Sequence, residues 1–95
     1  MNFEWDERKN ASNLAKHGFD FADAPGIFDL PMVVDLDVRE TYGEDRWVGI
    51  GLLNGRVVVI VYTEPSEQII RIISLRKALS HERKRYEQYI KNRLG

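Results

Sequence analysis

Two residues near the middle of the chain, Asn54 and Gly55, constrain the fold more than any other pair. Asn-Gly is the preferred dipeptide of the tight turns that join antiparallel strands, because both turn positions need a positive φ. Apolar, β-branched runs flank it at residues 46–53 and 56–63, and a third run follows a short polar turn at 68–75. Connections this short cannot join parallel strands, so the sequence predicts an antiparallel meander of three strands.

Helical patterns precede this sheet. Asp6 is a predicted N-cap and Gly18 a predicted C-terminal cap of a helix through about residue 16, whose thin apolar face is Ala11, Leu14 and Ala15. Asp20 then caps a short helical stretch at 21–24, which Pro25-Gly26 is expected to kink or end. Around these helices, residues 3–5 and 33–36 predict short extended segments, and residues 37–45 predict a loop.

A last helix follows the sheet. Ser80 is its predicted N-cap, and it runs to Leu94 with an inward stripe of Leu79, Tyr86, Ile90 and Leu94. The order of helices, sheet and helix predicts an α+β fold. The 95 residues suffice for one domain, expected to span 1–95.

Composition excludes several classes of protein. The chain has no cysteine, so disulfides and thiolate metal sites are excluded. The acidic residues 1–6 do not resemble a signal peptide, and the longest apolar run, 57–62, is far shorter than the roughly 20 residues of a membrane helix. A cytoplasmic location is therefore expected.

The small net charge of −1 conceals a strong asymmetry along the chain. Residues 1–45 carry eleven acidic and four basic side chains, a net charge of −7, whereas residues 46–95 carry four acidic and ten basic ones, a net charge of +6. Such a split suggests an anionic partner, and in particular a nucleic acid, for the basic half. The alternative is that the two halves attract each other or that the charges are simply solvated.

The third strand carries arginine among isoleucines. Strict alternation places Arg71 on one face and places Ser74 and Arg76 on the other face, with Ile72. Arg71 either pairs with the acidic half or binds a phosphate, which the planar guanidinium suits. Arg76, beside Lys77 at the strand end, favours the second interpretation. On the first strand, Gly49 and Gly51 share one face and leave room for a ligand or, as we expect, a closely packed helix.

The first helix presents Lys9, Asn13, Lys16 and His17 on one face. Histidine is the side chain that changes charge near neutral pH, so His17 is a candidate for proton transfer as well as for a simple helix-end cap. His81 is a weaker candidate. With two distant histidines, no CxxC, no phosphate-binding glycine loop and no GxSxG elbow, the sequence predicts metal-free acid–base chemistry. This chemistry suits RNA, which carries its own nucleophile in the 2′-hydroxyl.

Two signatures occur together in this chain: W-D-x-x-K-x-x-x-N-x-x-K-H-G from Trp5 and R-I-I-S-x-R from Arg71. With Phe21, Phe28, Arg46 and Tyr86, they make the sequence from Phe3 to about Tyr86 similar to the BrnT family of type II toxin–antitoxin toxins. The resemblance implies a fold like that of RelE-type ribonuclease toxins, metal-independent RNA cleavage and inhibition of translation. It also implies a BrnA-like antitoxin in a complex of two toxins and two antitoxins, with DNA bound only through the antitoxin.

Site residues follow from the same resemblance. The implied catalytic residues are Lys16, His17, Arg46, Arg71, Arg76, Glu82 and Tyr86, and the predicted RNA-binding residues are Lys9, Arg83 and, beside Arg76, Lys77. The three arginines of the first set would bind the scissile phosphate. The general base would be His17 or Glu82, and the proton donor Lys16, His17 or Tyr86. Two alternatives are a non-catalytic basic module that docks an acidic protein or nucleic acid, and a structural interaction protein using aromatic residues of the last helix.

Overall fold

The computed structural model describes residues 1–38 and 43–95. In this part of the chain the elements are β1 (Asn2–Trp5), α1 (Glu7–His17), a 3₁₀ helix (Phe21–Asp29), β2 (Val33–Leu36), β3 (Trp47–Leu53), β4 (Arg56–Ser66), β5 (Ile69–Lys77) and α2 (Ser80–Leu94). The strands form one sheet in the order β1-β5-β4-β3-β2. The α+β class and the antiparallel meander are confirmed.

The sheet is mixed, however, rather than purely antiparallel. β1 adds to the outer edge of β5 in parallel, with Phe3 opposite Ile70 and Trp5 opposite Ile72. A parallel neighbour needs a long connection, and here the whole chain from α1 to β4 supplies it. The likeness to RelE-type toxins stays a prediction.

The ends of α1 agree with the sequence. Asp6 accepts hydrogen bonds from the backbone N–H groups of Arg8 and Lys9, and Gly18 closes the helix in the left-handed conformation at φ 78°. The expected apolar face was wrong, because Leu14 is 44% exposed while Asn13 is buried. The polar side of α1 therefore faces the sheet.

The segment after α1 is a 3₁₀ helix that continues past Pro25 to Asp29. Proline cannot donate a backbone hydrogen bond and disfavours a regular α-helix here. The 3₁₀ helix buries Phe21 and Ile27 against one face of the sheet, which we call the 3₁₀ face. A Cβ atom on Gly51 would lie 2.8 Å from Ile27 Cγ2, so the expected helix packing is confirmed at Gly51. At Gly49 a Cβ atom would instead lie 3.0 Å from Met32 Sδ, which follows the 3₁₀ helix.

α2 covers part of the opposite face, which we call the α2 face. Its inward contact is narrower than the predicted stripe: Tyr86 is buried and Ile90 partly buried, but Leu79 is 56% and Leu94 85% exposed. The helix packs through its middle turns, so the side chains at its two ends remain in solvent. The predicted N-cap was also wrong by one residue, because Ser80 is already helical and Leu79 is the N-cap.

A β-bulge in β5 overturns the predicted alternation of that strand. Val61 pairs with Ser74, but the next residue of β4, Tyr62, pairs with Ile72, so Ile73 is an extra residue in the ladder. One extra residue moves every later side chain to the other face. Ser74 and Arg76 therefore lie on the α2 face, opposite to Ile72.

Ion pairs connect the acidic and basic halves of the chain. Arg71 pairs with Glu4 at 2.7 Å and Arg85 with Asp35 at 2.6 Å, which confirms attraction between the halves. The predicted loop at 37–45 lies partly outside the described residues, although Asp37 N–H still donates to the Arg46 carbonyl at 2.7 Å. No helix in the described part of the chain has the length and apolar character needed to cross a membrane.

Candidate active site

A cleft of about 590 Å³ opens on the α2 face, beside the amino-terminal turn of α2. Its floor is apolar and consists of Val48, Val59 and Val61 from the two central strands. Ser74 continues the floor on β5, because it lies directly opposite Val61. The bulge therefore creates the polar end of the cleft by turning Ser74 and Arg76 toward it.

Two basic side chains and a histidine converge on this polar end from two elements. Lys16 and His17 come from the last turn of α1, and Arg76 comes from the end of β5. A smaller neighbouring depression of about 310 Å³ shares Lys16, His17 and Ser74 with the cleft and extends to Lys9. A positively charged channel thus runs from the cleft along α1, as binding of a polyanion requires.

Arg76 is held by a two-pronged contact with Glu82. Its Nη1 and Nη2 donate to the two carboxylate oxygens of Glu82 at 2.8 and 2.9 Å, and Nη1 also donates to the Lys77 carbonyl. Glu82 accepts a further bond from the Leu79 N–H at 2.8 Å. The hydrogen bonds from Arg76, and then that from Leu79, lower the pKa of Glu82 to about 2. Glu82 is therefore ionised and a weak base near neutral pH.

The side of the cleft facing β2 is acidic. Asp35 and the buried Asp37 lie on the same face of β2 and of the residues that follow it. Arg85 of α2 donates to Asp35 at 2.6 Å and lowers the pKa of this carboxyl. The cleft is thus bounded by cations on one side and carboxylates on the other, with the valine floor between them.

Asn13 joins α1 to β5 at this site. Its Oδ1 accepts from the Leu75 N–H at 3.0 Å, and its Nδ2 donates to the Leu75 carbonyl at 2.8 Å and to the Phe19 carbonyl at 3.1 Å. The sequence placed Asn13 on the same helix face as Lys16 and His17 but gave it no role. Ser74 was also not among the candidates, because the bulge that exposes it has no visible sequence signal.

Some residues implied by the resemblance lie outside this cleft. Arg71 shares the α2 face with Arg76 but pairs with Glu4, as the ion-pair interpretation expected. Tyr86 is 2% exposed, and its hydroxyl donates to the Pro31 carbonyl at 2.9 Å. Burial raises the pKa of this hydroxyl. Tyr86 therefore belongs to the packing of α2.

The remaining implied residues lie at the periphery. Lys77 pairs with Val58 across the ladder and so points to the 3₁₀ face, away from Arg76. Arg83 is exposed and 4.0 Å from Glu87 on the outer side of α2. Arg46 precedes β3, where its backbone pairs with Asp37. The cleft thus brings together Lys16, His17, Arg76 and Glu82, with Lys9 in the adjoining depression.

Comparisons with known proteins show the family to which the chain is similar. The family model described as "Ribonuclease toxin, BrnT, of type II toxin-antitoxin system" matches residues 5–82, which include every residue lining the cleft. The crystal structure of the Brucella abortus ribonuclease toxin BrnT has 29% sequence identity and a TM-score of 0.64, covering 84% of this chain and 99% of that chain. No curated protein matches the chain.

Proposed function

Because this chain belongs to the BrnT family of ribonuclease toxins of type II toxin–antitoxin systems, we propose that it cleaves RNA in the cleft between α1, β5 and α2. The observation that carries the proposal is the convergence of Lys16, His17 and Arg76 on one end of a cleft with a valine floor, opposite its acidic side. Lys16 and Arg76 would bind a phosphate there, and the valine floor would accommodate the apolar face of a nucleotide.

The proposed reaction is an internal transfer. The 2′-oxygen of one nucleotide attacks the adjacent phosphorus and loses its proton, the bond to the 5′-oxygen breaks, and that oxygen gains a proton. The products are a 2′,3′-cyclic phosphate and a 5′-hydroxyl. His17 takes the proton from the 2′-hydroxyl, and Lys16 supplies the proton to the leaving oxygen. Arg76 stabilises the charge that develops on the phosphate oxygens.

Glu82 has a different part in this proposal from the base implied by the resemblance. Its carboxylate engages both terminal nitrogens of Arg76, and its pKa of about 2 makes it a poor proton acceptor at neutral pH. We assign Glu82 to holding the guanidinium in position.

No group of three His, Cys, Asp or Glu side chains in the described ranges is arranged to hold a metal ion. The proposed steps use protein side chains alone.

The cleavage assay uses purified protein, single-stranded RNA and a chelator at pH 7. We expect wild-type protein to leave 2′,3′-cyclic phosphate ends, and His17→Ala to be slower by a factor of about 10²–10⁴. His81→Ala is the matched control, because His81 is the other histidine and lies exposed in the first turn of α2. Wild-type protein that binds RNA in a salt-dependent manner without cleaving it would refute catalysis and support the binding-module alternative.

Arg76 provides a second, independent comparison. Arg76→Ala should lower the cleavage rate by a factor of about 10²–10³, as loss of a transition-state donor does. Arg93→Ala removes the same charge from the exposed end of α2 and should change the rate little. Equal losses for both variants would show that general positive charge, rather than the cleft, supports the activity.

Membership of a type II system implies an antitoxin partner. We propose that this partner is BrnA-like, that two toxins and two antitoxins assemble, and that DNA is contacted only through the antitoxin. We further propose that the free toxin acts in the cytoplasm and inhibits translation. Growth arrest on expression of the chain alone, its relief by the adjacent antitoxin gene, and the mass of the co-purified complex test these points.

A further inference from the structure

Beyond the end of β1, the side chain of Asn13 takes the hydrogen bonds that a strand partner would make with the outer edge of β5. β1 pairs with β5 from Asn2 to Trp5, and its last pair is Trp5 with Ile72. Beyond that pair, the N–H and C=O of Leu75 both bond the side-chain amide of Asn13. A carboxamide offers one acceptor and two donors, so it can occupy both groups as a neighbouring strand would.

The position of this contact connects the two halves of the cleft. Leu75 lies between Ser74 and Arg76, both of which line the cleft. Asn13 lies three and four residues before Lys16 and His17, which is one helical turn on the same face. The Asn13 side chain thus links, by direct hydrogen bonds, the helix turn that carries Lys16 and His17 to the strand end that carries Ser74 and Arg76.

The hydrogen bonds of Asn13 can hold α1 in one position against β5. Asn13 is 7% exposed, and all its amide groups are used, since Nδ2 also donates to the Phe19 carbonyl just after α1. Buried polar groups with complete hydrogen bonding hold one geometry, because any displacement leaves a donor or acceptor unpaired. A displacement of about 1 Å in a reacting group can lower a rate by a factor of about 10².

We propose that Asn13 is a positioning residue for RNA cleavage, which sets the location of Lys16 and His17 relative to Ser74 and Arg76. This inference rests on the proposed function of the cleft. Asn13 also lines the depression beside the cleft, but its amide is already bonded to Leu75 and Phe19, so we assign it no contact with the phosphate or the reacting oxygens. Its loss therefore lowers kcat and leaves KM, which reports binding along the whole cationic channel, nearly unchanged.

The chain provides a matched control on the same helix. Asn10 also makes two side-chain hydrogen bonds, donating to Asp20 at 3.0 Å and accepting from the Phe21 N–H at 2.9 Å, but it attaches α1 to the 3₁₀ helix instead of to β5. We expect Asn13→Ala to lower kcat by a factor of about 10², and Asn10→Ala to keep kcat within about twofold. Rates are compared at a temperature where circular dichroism shows each variant folded.

Asn13→Gln separates positioning from stability. It keeps the same amide groups but adds one methylene, so it can fold with α1 displaced, and it carries the test if Asn13→Ala does not fold. We expect a kcat well below that of the wild type. A wild-type kcat in a folded Asn13 variant, or an equal loss in Asn10→Ala, overturns the inference while leaving RNA cleavage established.

A second measurement does not depend on activity. Because the chain has no cysteine, Lys16→Cys with Ser74→Cys can be crosslinked by a short bismaleimide, and the crosslinking rate reports the approach of α1 to β5. Asn13→Ala should slow crosslinking severalfold, whereas Asn10→Ala should not. Unchanged crosslinking overturns the inference. Absence of RNA cleavage by wild-type protein overturns the proposed function, and slowed crosslinking would then still support positioning by Asn13.

Discussion

Replacing Glu82 with glutamine removes the charge that pairs with Arg76 while keeping the size of the side chain. The hydrogen bonds from Arg76 lower the pKa of Glu82 from 4.5 to about 2. At about 1.4 kcal/mol for each pKa unit, folding favours the ionised carboxylate by about 3 kcal/mol. Arg76 is 34% exposed and water screens the pair, so we expect Glu82→Gln to lower the free energy of unfolding by about 1–2 kcal/mol at pH 7.

The sign of the pH dependence follows from the lowered pKa. A group whose pKa is lower in the folded state stabilises the protein above its unfolded pKa, here 4.5, and loses that contribution as the pH falls toward 2. In urea denaturation, the free energies of unfolding of wild type and Glu82→Gln should therefore differ at pH 7. The difference should shrink as the pH falls from about 4.5 toward 2. Glu87→Gln, on an exposed part of the same helix, is the control. The reasoning would be refuted by equal free energies of unfolding for wild type and Glu82→Gln at pH 7, or by a difference between them that does not change with pH.

The same variant distinguishes two roles of Glu82 in cleavage. If Glu82 only holds Arg76, Glu82→Gln should lower the rate by about tenfold, because glutamine can still accept one bond from the guanidinium. If Glu82 were the general base, the loss would be a factor of about 10²–10⁴. In that case the substitution would also remove a titrating group from the pH–rate profile. This result would refute the assignment of Glu82 to positioning.

Three further changes test the packing around the site. Gly51→Ala would place a carbon 2.8 Å from the 3₁₀ helix and should destabilise the fold by about 1–3 kcal/mol. Gly26→Ala is the control: a Cβ atom there meets no described atom within 4 Å, so the variant should change thermal unfolding little. Tyr86→Phe removes a buried hydroxyl bond and should lower stability by about 1 kcal/mol; a hundredfold loss of cleavage would instead restore Tyr86 as a proton donor. Leu14→Lys should leave the urea midpoint nearly unchanged because Leu14 is 44% exposed, and a large loss would contradict the observed orientation of α1.

Much of the local structure could be predicted because its signals act over a few residues. The Asn54-Gly55 turn, the Asp6 cap and the Gly18 terminus all depend on φ preferences and on hydrogen bonds between near neighbours. The strand assignments of β3, β4 and β5 were correct to within a few residues, because β-branched runs and turn residues alternate clearly there. The structure brings four of the residues implied by the resemblance to one cleft, namely Lys16, His17, Arg76 and Glu82, and their roles stay predictions.

The sequence by itself determined most of the elements, the caps of α1 and the charges available for an anionic substrate. Tertiary structure decided which of those charges meet. The bulge at Ile73 turned Arg76 toward the cleft. The parallel pairing of β1 with β5 placed Glu4 beside Arg71, 67 positions away, where the two side chains form an ion pair. Asn13 became buried because its amide completes the edge of β5, 62 positions away. Such contacts depend on strand register and edge pairing, and no local pattern along the chain specifies either.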